Sequence, residues 1–532
     1  MQAVYDTQTK DCHIKDKNVN LDWVTNGRFD VVRLNNDLEE GTVISTCPFT
    51  TSSYTSPRGT QYQICPDTDY RGGSSQQING ITTQNACAQR CGGISGCTKA
   101  VWDSVNQVCH IKDTANDATQ IWALNKQFDV IQVINSYNPV TQGSWTDFIR
   151  LPVTPVAAYV VPEYPESSRI LIFSAWGKDT FGGGPGYTQF ADYNFKTGAV
   201  SQRTVSNTQH DMFCPGISAL EDGRIIITGG SNAEVSSIYD PASNSFSRAA
   251  DMKIPRGYQT SATLSDGRVF TIGGSYSGPR GGKVGEVYDP KANTWTLLPN
   301  VDFTPMLTTD AEGNWRTDNH AWLFGWKNGI VFQAGPSPKQ NWYGTSGSGS
   351  VVQAGTRPGA DDQMCGVNVM YDVGKILTTG GSTDYTNSPA TTMAHITTIG
   401  EPGKPSSIER VAEMSWPRGF ANGVVLPDGT VLVTGGQKRS LVFTDTDGVI
   451  TPELFNPSTK RWTKMASEAV PRNYHAGAIL LPDGRVWSGG GGLCYTGGPG
   501  NSDAYCNKQV DHADGQIFSP PYLFTSSGSA AT

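Results

Sequence analysis

The stretch Arg256-Gly257-Tyr258-Gln259-Thr260-Ser261-Ala262-Thr263-Leu264-Ser265-Asp266-Gly267-Arg268-Val269-Phe270-Thr271-Ile272-Gly273-Gly274 decides the fold. Tyr258 stands eight residues before Asp266-Gly267, which leads into a short apolar strand closed by Gly-Gly. The same spacing recurs: Cys214 is eight residues before Asp222-Gly223, Phe420 eight before Asp428-Gly429, and Tyr474-His475 ends eight before Asp483-Gly484. A repeat of this kind puts equivalent positions at equivalent points around one axis. It therefore predicts that a cysteine, two tyrosines and a histidine from distant parts of the chain are brought together.

Strand-like cores ending in glycine occur at 224–230, 268–274, 375–381, 430–436 and 485–490, with weaker copies at 169–174 and 329–335. Later strands repeat as well, in Ile238-Tyr239-Asp240-Pro241, Val287-Tyr288-Asp289-Pro290 and Leu454-Phe455-Asn456-Pro457. Seven copies at this spacing predict an all-β, seven-bladed propeller over 136–520, and the pattern resembles kelch repeats. The last copy takes residue 485 as the start of its inner strand and Gln516-Ile517-Phe518-Ser519-Pro520 as a third strand, with no Trp strand after it. Gly143-Ser144-Trp145-Thr146, before the first copy, is predicted to complete that blade and seal the ring. Most kelch propellers are binding scaffolds, so the fold alone favours no enzyme.

Composition suits many short strands joined by tight turns: 60 glycines and 31 prolines in 532 residues, with 37% hydrophobic residues. That length implies more than one domain. A net charge of -8 and the lack of any basic run exclude a broad nucleic-acid surface. No apolar stretch is long enough to span a bilayer. A monomer acting on small molecules is expected.

Cys47, Cys65, Cys87, Cys91, Cys97 and Cys109 crowd the segment 47–135. An even set in a short region reads as a disulfide framework, with a zinc site as a competing reading that the spacings fit poorly. Cys87 and Cys91, at i and i+4, share one face of a helix. The segment resembles a small disulfide-rich α+β PAN/apple module. That resemblance implies Cys47–Cys65, Cys87–Cys109 and Cys91–Cys97, one of fifteen possible pairings, and a carbohydrate or protein ligand. Residues 1–46 echo its tail: Cys12-His13-Ile14-Lys15-Asp16 matches Cys109-His110-Ile111-Lys112-Asp113, and Phe29-Asp30-Val31-Val32 matches Phe128-Asp129-Val130-Ile131. They are expected to be a truncated PAN-like copy in which Cys12 lacks its partner. Met1 opens no signal peptide, yet the cysteines point to an oxidising, extracellular compartment and a secreted protein. Cys494 and Cys506 are expected to bridge a Gly-rich loop, and Cys365 to be a free buried thiol.

Phenolate and imidazole donors in a tetragonal arrangement suit copper(II). Copper alone moves one electron, whereas turning an alcohol into an aldehyde removes two. A tyrosine radical can hold the second, and a thioether from cysteine sulfur to the phenol ring would delocalise its spin. Cys214 and Tyr258 occupy the same register in consecutive blades, which makes such a bond geometrically feasible.

Further motifs surround these residues: Asp211-Met212-Phe213-Cys214-Pro215-Gly216, Asp318-Asn319-His320-Ala321-Trp322, Met364-Cys365-Gly366, Tyr474-His475 and Gly489-Gly490-Gly491-Gly492-Leu493-Cys494. Through them residues 140–520 resemble the galactose oxidase family of copper radical oxidases. The resemblance implies one copper ion held by Tyr258, Tyr474 and His475. Tyr258 is then the radical tyrosine, Cys214 its thioether partner, Tyr474 the axial ligand and base, and Tyr276 the ring stacked over the cross-link. It further implies a second histidine ligand from a C-terminal immunoglobulin-like domain, of which 521–532 would be only a stub. His512 does not match that ligand, so weak copper binding and poor cross-linking are expected of this chain.

For the substrate, the resemblance implies Arg316 as an alcohol-binding arginine (a structural ion pair remains the alternative), with Phe181, His320, Tyr385, Thr386 and Phe420 around it. Tyr276 and Thr386 depart from the family's tryptophan and glutamine, which favours aryl alcohols over galactose. The expected reaction oxidises a primary alcohol, aryl or carbohydrate, to an aldehyde with reduction of O2 to H2O2. A catalytically silent kelch/PAN scaffold and a glyoxal-oxidase-like aldehyde oxidase stay open as alternatives.

Overall fold

A computed structural model describes residues 139–493 except 147, residues 510–525, and, nearer the N-terminus, 2–6, 12–15, 29–33, 43–44, 52–55, 61–71, 74–92, 94, 97–112 and 121–135. The chain divides into two compact units, Met1–Asn138 and Pro139–Thr532.

In the first unit, strands Lys99–Asp103, Val108–Lys112 and Phe128–Asn135 lie in a six-stranded sheet beside helix Gln84–Gly92. Cys87 and Cys91 are both fully buried on that helix. They form disulfides Cys87–Cys109 and Cys91–Cys97, as the PAN resemblance implied. Cys65 is disulfide-bonded. Cys47, Cys494 and Cys506 lie outside the described residues, as does the side chain of Cys12. The echo in residues 1–46 is an echo of pairing too. Ala3 faces Ile14, and Tyr5 faces Cys12 and Asp30; Ala100 likewise faces Ile111, and Trp102 faces Cys109 and Asp129. Val43–Ile44 pairs with Ile121–Leu124, so strand pairing joins residues on either side of position 47.

The second unit is a seven-bladed kelch-type propeller of antiparallel sheets. Blade 1 begins with Ala157–Val160, blade 2 with Gly216–Ala219, blade 3 with Thr260–Thr263, blade 4 with Trp322–Gly325, blade 5 with Val367–Asp372, blade 6 with Gly419–Val425 and blade 7 with Ala476–Leu480. These first strands pack against one another around the axis. The apolar strand closed by Gly-Gly is therefore the second of its blade, which corrects its reading as the inner strand. Blade 7 is completed from the other end of the propeller, where Ser144 faces Ser519 and Trp145 faces Phe518. That pairing covers the edge of strand Asp514–Ser519 and ties the two ends of the propeller together.

The repeat's chemistry explains its geometry. In each Asp-Gly turn the aspartate Oδ1 accepts the backbone N–H two residues on, as from Arg224, Arg268, Thr430 and Arg485. The following Gly-Gly lets the next blade come close. A Cβ on Gly229 would sit 2.4 Å from the Arg256 carbonyl oxygen, and one on Gly435 2.2 Å from that of Arg472. The second glycine then donates its N–H to the same carbonyl: Gly230 to Arg256 at 2.9 Å, Gly381 to Arg418 at 2.7 Å and Gly436 to Arg472 at 2.8 Å.

Each of these arginines is a buried strap. Arg256 donates to the Gly273 carbonyl and to Glu286 Oε1 at 2.8 and 2.9 Å, Arg418 to Gly435 and Glu453 at 2.7 and 3.0 Å, and Arg472 to Gly490 and Asp514 at 3.0 and 2.7 Å. In blade 2 His210 fills the role, bonding the Gly229 carbonyl at 2.8 Å and Ser237 Oγ at 2.9 Å. Blade, strap and glycine pair together fix the residues that follow the straps.

Candidate active site

Those residues are Cys214, Tyr258, Phe420 and His475, joined by His320 and Cys365. All six carry a positive φ, from 52° to 65°. A non-glycine residue held there costs about 1–3 kcal/mol and persists only where its surroundings over-determine it. Here neighbouring blades hold one another. Tyr258 N–H donates to the Cys214 carbonyl at 3.1 Å, His320 N–H to Tyr258 at 3.0 Å, and Phe420 N–H to Cys365 at 3.2 Å.

The side chains converge. Tyr258, Tyr385, Phe420, Phe443, Tyr474 and Met364 form one buried cluster, with Cys214, Tyr276, Phe181 and Cys365 packed against it. Tyr258 Oη lies 2.5 Å from Tyr474 Oη. The Tyr474 ring stacks on the His475 imidazole at 3.8 Å between centroids. Tyr276 lies 4.2 Å from Tyr258 with the two rings tilted by 48°, so it covers that ring obliquely and is not stacked on it. Cys214 and Cys365 are free cysteines.

His475 is oriented by the glycine run. Its Nδ1 bonds the Gly492 carbonyl at 2.6 Å, while Gly491 and Gly492 donate their N–H groups to the carbonyls of His475 and Tyr474. Donation from Nδ1–H to a carbonyl leaves Nε2 with its lone pair. That Nε2 is buried without a hydrogen-bond partner.

Electrostatics keep the centre neutral. Burial pushes the Tyr258 phenol well above its usual range, and Tyr474 upward as well. The Cys214 thiol is pushed up to about 12 and His475 down to about 4, in both cases chiefly by burial. Among the described residues no three His, Cys, Asp or Glu side chains form a metal-binding group. The two phenol oxygens and the orphan His475 nitrogen are gathered here, with a second unpartnered imidazole nitrogen on His320, whose ring is 4.7 Å from that of Tyr258, and that mixed set suits copper(II).

A cleft of about 940 Å³ opens on this centre, lined by Cys214, Tyr474, Tyr276, Phe181, Tyr385 and Thr386 among others. Arg316 lines it too. Its Nε donates to Glu312 Oε2 at 2.9 Å, its guanidinium lies 3.9 Å from the Tyr385 ring centre, and its Nη1 is buried without a partner. The ion pair and the substrate-facing role are thus compatible, since one face of the fork is anchored and another nitrogen is left over.

Two residues expected at the substrate lie elsewhere. His320 and Phe420 do not line the cleft. They line a second cavity of about 380 Å³ on the propeller axis, together with Tyr258, Cys365, Tyr474 and His475. Their place at the head of a first strand turns them toward the axis. Sequence reasoning also missed residues that build the cleft. Trp315 stacks on Tyr276 at 4.9 Å. Glu312 gathers Trp315, Arg316 and Thr386. Its position four residues before Arg316 was a usable signal. Phe443, against Tyr474 at 5.3 Å, is outside the repeat and had none.

Residues 339–496 match the family described as glyoxal oxidase N-terminus, residues 55–133 the PAN domain and residues 256–301 the kelch motif. The chain is 49% identical over 422 residues to galactose oxidase of Gibberella zeae, covering 78% of this chain and 60% of that protein. It is 25% identical over 341 residues to aldehyde oxidase GLOX of Vitis pseudoreticulata, covering 59% of this chain and 61% of that one. The chain thus spans about three fifths of the length of these relatives. A solved fungal alcohol oxidase of the AA5 family, in complex with copper, matches at 45% identity and a TM-score of 0.68, over 74% of this chain and 79% of that one. A propeller centred on paired phenols and an orphan imidazole, with 45% identity over 79% of that copper-bound structure, places the chain in the galactose oxidase (AA5) family.

Proposed function

We propose that this protein is a secreted copper radical oxidase, converting primary alcohols to aldehydes while O2 is reduced to H2O2. The observation that carries the reading is the 2.5 Å approach of Tyr258 Oη to Tyr474 Oη beside the unpartnered Nε2 of His475. Tyr258, Tyr474 and His475 would hold the copper. Bound copper(II) supplies a one-electron acceptor and lowers the pKa of the phenols that ligate it. The propeller is assigned the catalysis and the PAN unit attachment to carbohydrate or protein, with the enzyme acting as a monomer. The paired disulfides of that unit support an oxidising, extracellular setting.

The thioether is part of the proposal. Cys214 loses its S–H hydrogen and the Tyr258 ring a C–H hydrogen, an S–C bond forms, and O2 takes both electrons and both protons as H2O2. Backbone pairing of the two residues and their shared apolar cluster support this. In turnover, Tyr474 Oη takes the hydroxyl proton and the Tyr258 radical takes a hydrogen atom from the α-carbon. The second electron leaves the substrate as the aldehyde forms, and two electrons and two protons end on O2. Arg316 orients the alcohol through its spare Nη1 donor. Phe181 and Phe443 on one side and Tyr276 and Trp315 on the other give flat apolar walls, which suit an aryl ring. The oxidase similarities leave the silent-scaffold alternative without support.

Treating the chain with oxygen and a large excess of copper, which offsets the weak binding expected of three ligands, should remove a pair of hydrogens from the linked peptides that contain Cys214 and Tyr258, as read by mass spectrometry. An aryl alcohol should then yield aldehyde and peroxide in equal amounts. Unlinked peptides together with no aldehyde would sink the proposal. Copper affinity is expected to rise with pH between about 5 and 8. The phenols, raised by burial, must lose protons to bind, whereas His475, at about 4, is already neutral across that window. Isothermal titration in buffers of different ionisation heat reads the protons released.

A further inference from the structure

Tyr258 is buried, yet a line of oxidisable rings joins it to the mouth of the cleft. Tyr276 lies 4.2 Å from Tyr258, and Trp315 lies 4.9 Å from Tyr276 at an interplanar angle of 22°. Trp315 is partly exposed and lines the cleft. Other rings around the centre offer no outlet as exposed as Trp315: Tyr474 and Tyr385 line the cleft but are only 7% and 1% exposed. Phe420 and Phe443, against Tyr474, are hydrocarbon rings that do not carry a hole at potentials that oxidise phenols or indoles. Tyr385 is 5.9 Å from Tyr258 but only 1% exposed, and its remaining ring neighbours are His320, Phe420 and Tyr474.

The outer end of the line is also electrically prepared. Trp315 Nε1 donates to Glu312 Oε2 at 2.8 Å, which places a carboxylate on an indole that must carry transient positive charge. The same Oε2 accepts from Arg316. Arg316 and Arg280 lie 4.7 and 5.5 Å from the Trp315 ring centre; these cations stabilise the neutral indole and oppose the hole, and the Glu312 carboxylate offsets them. Nothing in substrate binding requires an oxidisable ring at position 315, since phenylalanine would supply the same apolar wall.

We infer that Trp315 and Tyr276 form a one-electron port, through which an outer-sphere oxidant in solvent generates the Tyr258 radical without entering the site. The inference rests on the reading of Tyr258 as the redox-active phenol. The oxidant takes one electron from the Trp315 indole, and the hole passes through Tyr276 to Tyr258. Tyr258 gives its phenol proton to Tyr474 Oη as Tyr474 passes its own proton to water in the cleft. The balance is one electron to the oxidant, one proton to solvent and one phenoxyl radical on Tyr258. Trp315 and Tyr276 are relay residues, and Glu312 a positioning residue for the first of them.

The test uses the full 532-residue chain without added metal, with photogenerated tris(bipyridine)ruthenium(III) as oxidant and a cobalt(III) ammine as sacrificial electron acceptor. Transient absorption and electron paramagnetic resonance should show an indole radical that decays as a phenoxyl radical appears, the latter absent in Tyr258→Phe. Trp315→Phe and Tyr276→Phe should each slow the phenoxyl's appearance by about tenfold, and Trp315→Tyr should restore it. An unchanged rate in Trp315→Phe, or no Tyr258-dependent radical in the unaltered chain, overturns the port. The two readings fail separately. A chain that oxidises alcohols but shows no Trp315 dependence loses only the port, whereas one with the relay but neither cross-link nor aldehyde loses the oxidase assignment.

Discussion

Tyr258→Phe is expected to take aldehyde and peroxide formation to the uncatalysed background and to abolish the cross-link in the same molecule. The substitution removes one oxygen from a buried, largely aromatic cluster and keeps the ring, so the fold should tolerate it. What goes is the partner of Tyr474 at 2.5 Å, a metal donor and the site where the unpaired electron comes to rest. Tyr474→Phe should be milder, because the radical side chain stays and a proton acceptor is lost. A general base contributes about 10²–10⁴ in rate, and kcat should fall within that range. Intact-mass spectrometry with an aldehyde assay reads both variants. A Tyr258→Phe enzyme turning over alcohol at a rate comparable to the unaltered protein would remove the basis of the proposed mechanism.

Glu286→Ala should be the most damaging change for stability among those that leave the site untouched. Arg256 and Glu286 are both fully buried and bonded at 2.9 Å. Burial already pushes the Arg256 guanidinium below its ordinary pKa, and Glu286 is the chief opposing influence. Breaking a buried pair by removing one partner costs about 3–5 kcal/mol, because an uncompensated charge stays behind. The loss should appear in chemical denaturation and, in addition, at the metal. Arg256 stands two residues before Tyr258 and its carbonyl accepts the Gly230 N–H at 2.9 Å, so copper affinity should fall with stability. Replacing both partners by apolar residues of similar size should recover much of the stability, since the buried charge goes with its partner. If Glu286→Ala unfolds at the same denaturant midpoint as the parent, the strap has no structural role.

The propeller and the four residues in shared register were legible from spacing alone, for a local reason. An Asp-Gly turn, an apolar strand and a Gly-Gly close contact are each written in consecutive residues, and repetition multiplies a weak local signal into an architecture. Cys214, Tyr258, Phe420 and His475, with Tyr474 beside the last of them, inherit their meeting point from that repetition. What lies outside the repeat was settled only by tertiary packing. Phe443 reaches the cleft from an irregular loop and Trp315 from the short 3-10 turn Gly313–Trp315, and no period in the sequence encodes where such connecting segments end. His320 and Phe420 share the register of Tyr258 yet line the axial cavity and not the cleft, because the register sets distance from the axis and leaves open which cavity a side chain lines. The orphan nitrogen of His475 likewise exists only once the Gly492 carbonyl has claimed the other ring nitrogen. That bond joins two segments through the chain's final folded geometry.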